Sequence, residues 1–132
     1  MAANPKTLRI LVVDDSESTR RILRMLLSSR KWTICGEAEN GLSGVKKFDQ
    51  LKPDVVLLDL AMPDIDGIKA AQRMSASDPT VPIILFTILE SEGIKSAAQR
   101  AGIRAVVSKT EAWNLLSNIE NVTSQESSWG PH

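Results

Sequence analysis

Short apolar runs punctuate this chain, and the stretches between them carry apolar residues three or four apart. Ile10-Leu11-Val12-Val13, Val55-Val56-Leu57-Leu58 and Ile83-Ile84-Leu85-Phe86 are the clearest runs, and Val106-Val107 is a shorter one. An unbroken apolar run flanked by helical periodicity reads as a parallel strand buried on both faces. The pattern predicts strands over 8–14, 32–38, 54–59, 81–87 and 104–108, the second being the least regular. Helical stripes lie between them. Ile22, Leu23, Leu26 and Leu27 mark the first, over 16–29. Leu42, Val45, Phe48 and Leu51 mark the second, Ile68, Ala71 and Met74 the third, and Ile94, Ala97, Ala98 and Ala101 the fourth. Ala112, Leu115, Leu116 and Ile119 mark the last. Asn40-Gly41, Lys52-Pro53, Asp78-Pro79 and Gly102 supply the breaks. Strict alternation of strand and helix implies a single α/β domain, with a parallel sheet covered on both faces and right-handed crossovers.

Polar residues gather where these runs end. Asp14-Asp15 closes the first strand, Asp59 the third and Thr87 the fourth, while Ser108-Lys109 ends the fifth. Ligands of open α/β sheets collect at the carboxyl ends of the strands, so one fold brings these groups together. Three neighbouring carboxylates repel one another and need a counter-charge. A hard divalent cation answers that need, and Mg2+ takes carboxylates, waters and substrate phosphate oxygens. Asp15 and Asp59 are the preferred direct ligands, Asp14 acts through a bound water, and the backbone carbonyl of Ala61 is a further candidate. Asp59 is positioned as a nucleophile toward phosphorus, with Lys109 and the Thr87 hydroxyl to hold phosphoryl oxygens. Asp64 and Asp66, beside Gly67, read as turn and cap residues.

Composition narrows the class. The chain has 132 residues, enough for one domain with a core, and its net charge is zero. That balance gives no support for binding nucleic acid or an anionic membrane. Cys35 is the only cysteine and His132 the only histidine, which excludes an internal disulfide and His/Cys zinc sites. No stretch approaches a membrane span, and the first residues lack the apolar core of a secretory signal, so a cytoplasmic location is expected. Residues 1–6 and 123–132 read as flexible ends around a domain over 7–122.

The strand-end motifs resemble the receiver domain of bacterial two-component response regulators, from Leu8 to about Val122. Val12-Val13-Asp14-Asp15 is similar to that family's acidic pair. Leu57-Leu58-Asp59-Leu60-Ala61-Met62-Pro63 with Gly67 is similar to its phosphoacceptor segment, and Thr87 and Lys109 fall at its switch hydroxyl and its lysine. The resemblance implies a flavodoxin-like (βα)5 fold with strand order 2-1-3-4-5. It implies transfer of a phosphoryl group to Asp59 from a histidine kinase or a histidine phosphotransfer protein, with Mg2+. It also implies docking through the start of the first helix, near Thr19 and Ile22, and the loop after the fifth strand. A homodimer would use the face of helix four, strand five and helix five, for which Lys95, Arg104 and Trp113 are the interface candidates. Gly36-Glu37-Ala38-Glu39-Asn40-Gly41 looks like receivers that precede a DNA-binding helix-turn-helix, a module that is not in this sequence.

The chain departs from the family pattern in several places. Val106 stands at the switch position where Phe or Tyr is common, Thr110 replaces a frequent proline, and Ile88 replaces a small residue. Apolar Ile88, Leu89 and Ala61 near the phosphoacceptor predict slow self-dephosphorylation by excluding or failing to orient water. Two other classes fit less well. An aspartate-nucleophile phosphohydrolase of the haloacid dehalogenase type places its acids as Asp-x-Asp and needs cap segments. A flavin binder needs a phosphate-cradling loop where Asp14-Asp15 stands.

Overall fold

A computed structural model describes residues 7–124; of the expected flexible ends at 1–6 and 123–132, all but residues 123 and 124 lie outside the described residues. Five strands and five helices alternate. They are β1 (Arg9–Val13), α1 (Glu17–Ser28), β2 (Thr33–Ala38), α2 (Gly41–Leu51), β3 (Val55–Leu58), α3 (Gly67–Ser77), β4 (Ile83–Thr87), α4 (Glu92–Arg100), β5 (Ala105–Ser108) and α5 (Leu115–Thr123). The sheet is fully parallel in the order β2-β1-β3-β4-β5. This is the flavodoxin-like architecture expected of the sequence. β2 is also irregular as expected, its register with β1 shifting between Ile10 and Leu11.

Strand side chains alternate between faces, and the sheet therefore splits its apolar residues into two cores. Ile10, Val12, Val55, Leu57, Ile84 and Phe86 pack with Leu23 and Leu27 of α1 and Leu115, Ile119 and Val122 of α5. Leu11, Val13, Val56, Leu58 and Leu85 point the other way, against Phe48 of α2, Ala70, Ala71 and Met74 of α3 and Ala98 of α4. Burial on both faces is why these runs contain no polar interruption. The helices start on side-chain caps that fix where each loop ends. Ser16, Asn40, Asp66 and Ser91 accept the backbone N–H groups of Thr19, Ser43, Lys69 and Ile94. Gly102, with φ of 90°, turns the chain out of α4 in a conformation that side-chain-bearing residues rarely adopt.

Three expectations need adjustment. The acids at 14 and 59 lie just past their strands instead of ending them. Ile22, placed in the apolar stripe of α1, is 51 % exposed, because the buried face of α1 runs through Leu23 and Leu27. The last helical stripe is also broken. Residues Lys109–Asn114 form a 3-10 turn, irregular at Glu111, and the α-helix begins only at Leu115. The Ser108 hydroxyl accepts the N–H of Thr110 and pairs with its hydroxyl at 2.7 Å, which starts that tighter turn early.

Candidate functional site

The site forms where strand order reverses, between β1 and β3, because the chain leaves β1 toward β2 and leaves β3 toward β4, in opposite directions along the sheet. Val13 faces Leu58 across the β1–β3 ladder, and the next residues on the two strands are Asp14 and Asp59. Backbone bonds hold both in place. Asp59 N–H donates to Val13 O at 2.9 Å and Asp14 N–H to Ala38 O at 2.9 Å. Carboxylate oxygens of Asp14, Asp15 and Asp59 all lie within 4.8 Å of one another. Lys109, following the Thr87–Ser108 pair of the β4–β5 ladder, reaches into the same place. Its Nζ is 2.8 Å from Asp14 Oδ2 and 3.4 Å from Asp59 Oδ2.

The three acids differ in their surroundings. Asp14 is buried, and both oxygens are engaged: Oδ1 accepts the N–H of Ser16 at 2.8 Å and Oδ2 faces Lys109. Asp15 is exposed. Asp59 is buried, and its Oδ1 accepts the N–H of Leu60 at 2.8 Å. Burial, then the charge of Asp14, pushes the Asp59 carboxyl above the usual carboxylate range, while Lys109 pulls it back. One ammonium among three carboxylates leaves a net anionic cup of hard oxygen donors, which suits a divalent cation such as Mg2+.

The remaining predicted residues fall as follows. Thr87 is buried at the end of β4, and its Oγ1 accepts the N–H of Leu89 at 3.3 Å. Ile88 and Leu89 are exposed, as is Ala61 in the loop after β3. Val106 is half-buried against the α2–α3–α4 core. The interface candidates do not share one end of the molecule. Arg104 precedes β5 and lines a hollow with Leu8, Pro53 and Val122, at the end of the sheet opposite the acids. Trp113 is exposed and belongs to the 3-10 turn at the acidic end. Lys95 lies on α4, 4.0 Å from Glu92.

Two residues escaped sequence reasoning. Asp66 is the helix cap it resembled, but Asp64 does more than shape its turn. Its carboxylate accepts the N–H groups of Gly41 and Leu42 at 2.8 Å and of Ile65 at 2.7 Å, tying the loop after Asp59 to the start of α2. Those N–H groups hold the Asp64 carboxyl below the usual range, against the partial loss of water. Arg20 has no role assigned to it from the sequence, yet it is buried and its NH1 donates to the backbone carbonyl of Asp14 at 2.6 Å. Arg20 lies three residues before Leu23 and seven before Leu27, in line with the buried face of α1, but a charged side chain at that spacing does not reveal which carbonyl it reaches.

Comparison with known proteins agrees with this geometry. Residues 10–120 match the family model of the response regulator receiver domain. The chain is 34 % identical over 114 residues to the chemotaxis protein CheY of Listeria monocytogenes, an alignment that covers 86 % of this chain and 96 % of that one. A two-component response regulator of the LuxR family from Aurantimonas superposes with a TM-score of 0.89 at 26 % identity, over 96 % of this chain and 91 % of the other. A CheY of Borrelia burgdorferi, solved as a CheX–CheY–BeF3–Mg+2 complex, superposes with a TM-score of 0.84 at 25 % identity, over 87 % and 88 % of the two chains. A match across most of the chain, with the acids, the hydroxyl and the lysine at its strand ends, places the protein in one family: it is a response regulator receiver domain of the kind found in two-component systems.

Proposed function

We propose that this domain accepts a phosphoryl group on Asp59 and changes its interaction surface when it does so. The observation that carries the reading is the Asp14–Asp15–Asp59 cluster with Lys109 bridging two of its members. An Asp59 oxygen attacks phosphorus, the bond from phosphorus to the donor's leaving group breaks, and an acyl phosphate remains on Asp59. The donor is a phosphohistidine of a histidine kinase or phosphotransfer protein, or a small acyl phosphate. Asp15 and Asp59, with the carbonyl of Ala61, would hold Mg2+ directly, and Asp14 through a water, in keeping with its two engaged oxygens. When bound, the ion offsets the repulsion between the carboxylates and the incoming phosphoryl oxygens.

Lys109 and Thr87 then bind the new phosphoryl oxygens. Lys109 must leave its contact with Asp14 partly or wholly, and the Thr87 hydroxyl, which accepts the Leu89 N–H through a lone pair, donates its own O–H to phosphate. Movement of Thr87 toward the phosphate, with Leu89 bound to it, pulls on the β4–α4 loop and couples the charge event to the surface. Val106 is too small to report the change as a rotating aromatic ring would. The phosphodonor docks beside Lys109, where Thr19, Ile22, Phe86 and Ala112 line a shallow hollow. No helix among the described residues is long and apolar enough to cross a membrane. Self-association through the α4–β5–α5 face remains part of this reading.

Acetyl phosphate with Mg2+ tests the chemistry. Acyl phosphate should form, and a chelator should abolish it. Equal labelling in the chelator would overturn the metal-assisted route.

A further inference from the structure

Among the described residues the buried polar or charged side chains are Asp14, Arg20, Asp59, Thr87 and Ser108. Four belong to the strand-end site or adjoin it in sequence. The fifth, Arg20, sits on α1, and a buried guanidinium needs partners for its charge and its fork of donors. NH1 donates to Asp14 O at 2.6 Å, NH2 lies 2.5 Å from Glu17 Oε1, and Nε lies 3.2 Å from Glu37 Oε1 on β2. Glu39 is a further 3.7 Å neighbour. Three carboxylates thus offset the charge of Arg20, and what it delivers toward the site is one directed hydrogen bond.

We infer that Arg20 is a positioning residue for the divalent-cation site, an inference that rests on the metal reading above. The carbonyl it grips belongs to the Asp14–Asp15 peptide group, so fixing it fixes the plane from which the exposed Asp15 side chain departs. The other side of Asp14 is already fixed, since its N–H donates to Ala38 O of β2. Glu37, the neighbour of Ala38, anchors the guanidinium to the same strand. Asp15 has no such support from burial, so its aim depends on this backbone clamp. Outer partners of this kind set the orientation of metal ligands, and their loss commonly weakens metal affinity about tenfold or more.

Mn2+ is the probe, with free ion counted by electron paramagnetic resonance and folding checked by circular dichroism. Wild type should bind, and Asp59→Asn should bind far more weakly. If wild type does not bind Mn2+, the metal reading itself falls. Given wild-type binding, Arg20→Met should weaken affinity by about tenfold. Arg20→Lys should fall between the two, because an ammonium can donate to the carbonyl but cannot span the same partners. The control is Arg24→Met, whose bonds run to Glu37 and Glu17 and which should stay within about twofold of wild type. A purely structural role would lower the melting temperature of both variants and leave the Mn2+ affinity of each alike. Folded Arg20→Met binding as well as wild type, or Arg24→Met weakened as much, overturns the inference. Should Arg20→Met not fold, Arg20→Lys binding no more weakly than Arg24→Met overturns it equally.

Discussion

The ammonium of Lys109 stands 2.8 Å from Asp14 Oδ2, joining the end of β5 to the end of β1 across the mouth of the sheet. Asp59 is the second neighbour at 3.4 Å. In the metal-free protein this one cation carries the work of keeping two buried carboxylates side by side. Lys109→Met should lower unfolding free energy by about 2 kcal/mol without divalent ions, because it leaves two buried acids without their counter-charge. Saturating Mg2+ should then restore more stability than it adds to wild type. Urea unfolding with and without Mg2+ measures both effects.

Gly67 begins α3 directly beneath the loop that follows Asp59. A Cβ on it would meet Asp59 O at 2.2 Å, a backbone atom that cannot swing aside. Gly67→Ala should cost about 2–3 kcal/mol by forcing the β3–α3 loop outward. Because the clash bears on Asp59 itself, the surviving folded protein should also accept phosphoryl groups more slowly. Denaturation midpoints and labelling rates from acetyl phosphate check the two halves separately.

Glu37 gives the pH dependence. Arg24 donates Nε and NH2 to its two oxygens at 2.6 Å, and this, against burial and with help from Arg20, holds the Glu37 carboxyl below the usual range. The folded form therefore favours the ionised acid. Its contribution is present above the ordinary carboxylate range and is lost as pH falls through the lowered value. Glu37→Gln should destabilise by about 1 kcal/mol near neutrality, as a well-formed, partly exposed ion pair does. The gap between variant and wild type should close on acidification. A gap that stays constant from neutral to acid pH would contradict the assignment.

The sequence carried most of the fold because strands buried on both faces cannot hide polar residues. The runs at 10–13, 55–58 and 83–86 were visible for that reason, and so were the polar residues that follow them, Asp14, Asp59 and Thr87. The last helix was misread because its stripe continues from Ala112 to Ile119, while the Ser108–Thr110 hydroxyl pair, which breaks it, is a local hydrogen bond with no periodicity. Arg20 was invisible for a different reason. Its burial depends on Glu37, which arrives from β2, and no spacing along α1 announces a partner on another strand. Asp64 was read as a turn residue, which is correct in part; its bond to the start of α2 reaches back across all of α2 and β3, so no local pattern announces it.

Leu89 bears on how long a phosphorylated state lasts. Its N–H holds the Thr87 hydroxyl, and its side chain, like that of Ile88, is exposed beside the end of β4. An apolar side chain there cannot orient an attacking water. Leu89→Glu should shorten the acyl-phosphate lifetime by about tenfold, a modest share of what a positioned acid or base supplies. The decay of the phosphorylated form after removal of the donor is the readout, and an unchanged lifetime would remove Leu89 from the account.

The most direct measurement is intact mass after exposure to acetyl phosphate and Mg2+, for wild type and Asp59→Asn side by side. Wild type should gain the mass of one phosphoryl group and Asp59→Asn none. No gain in wild type, or the same gain in both, would contradict the assignment of Asp59 as the phosphoacceptor.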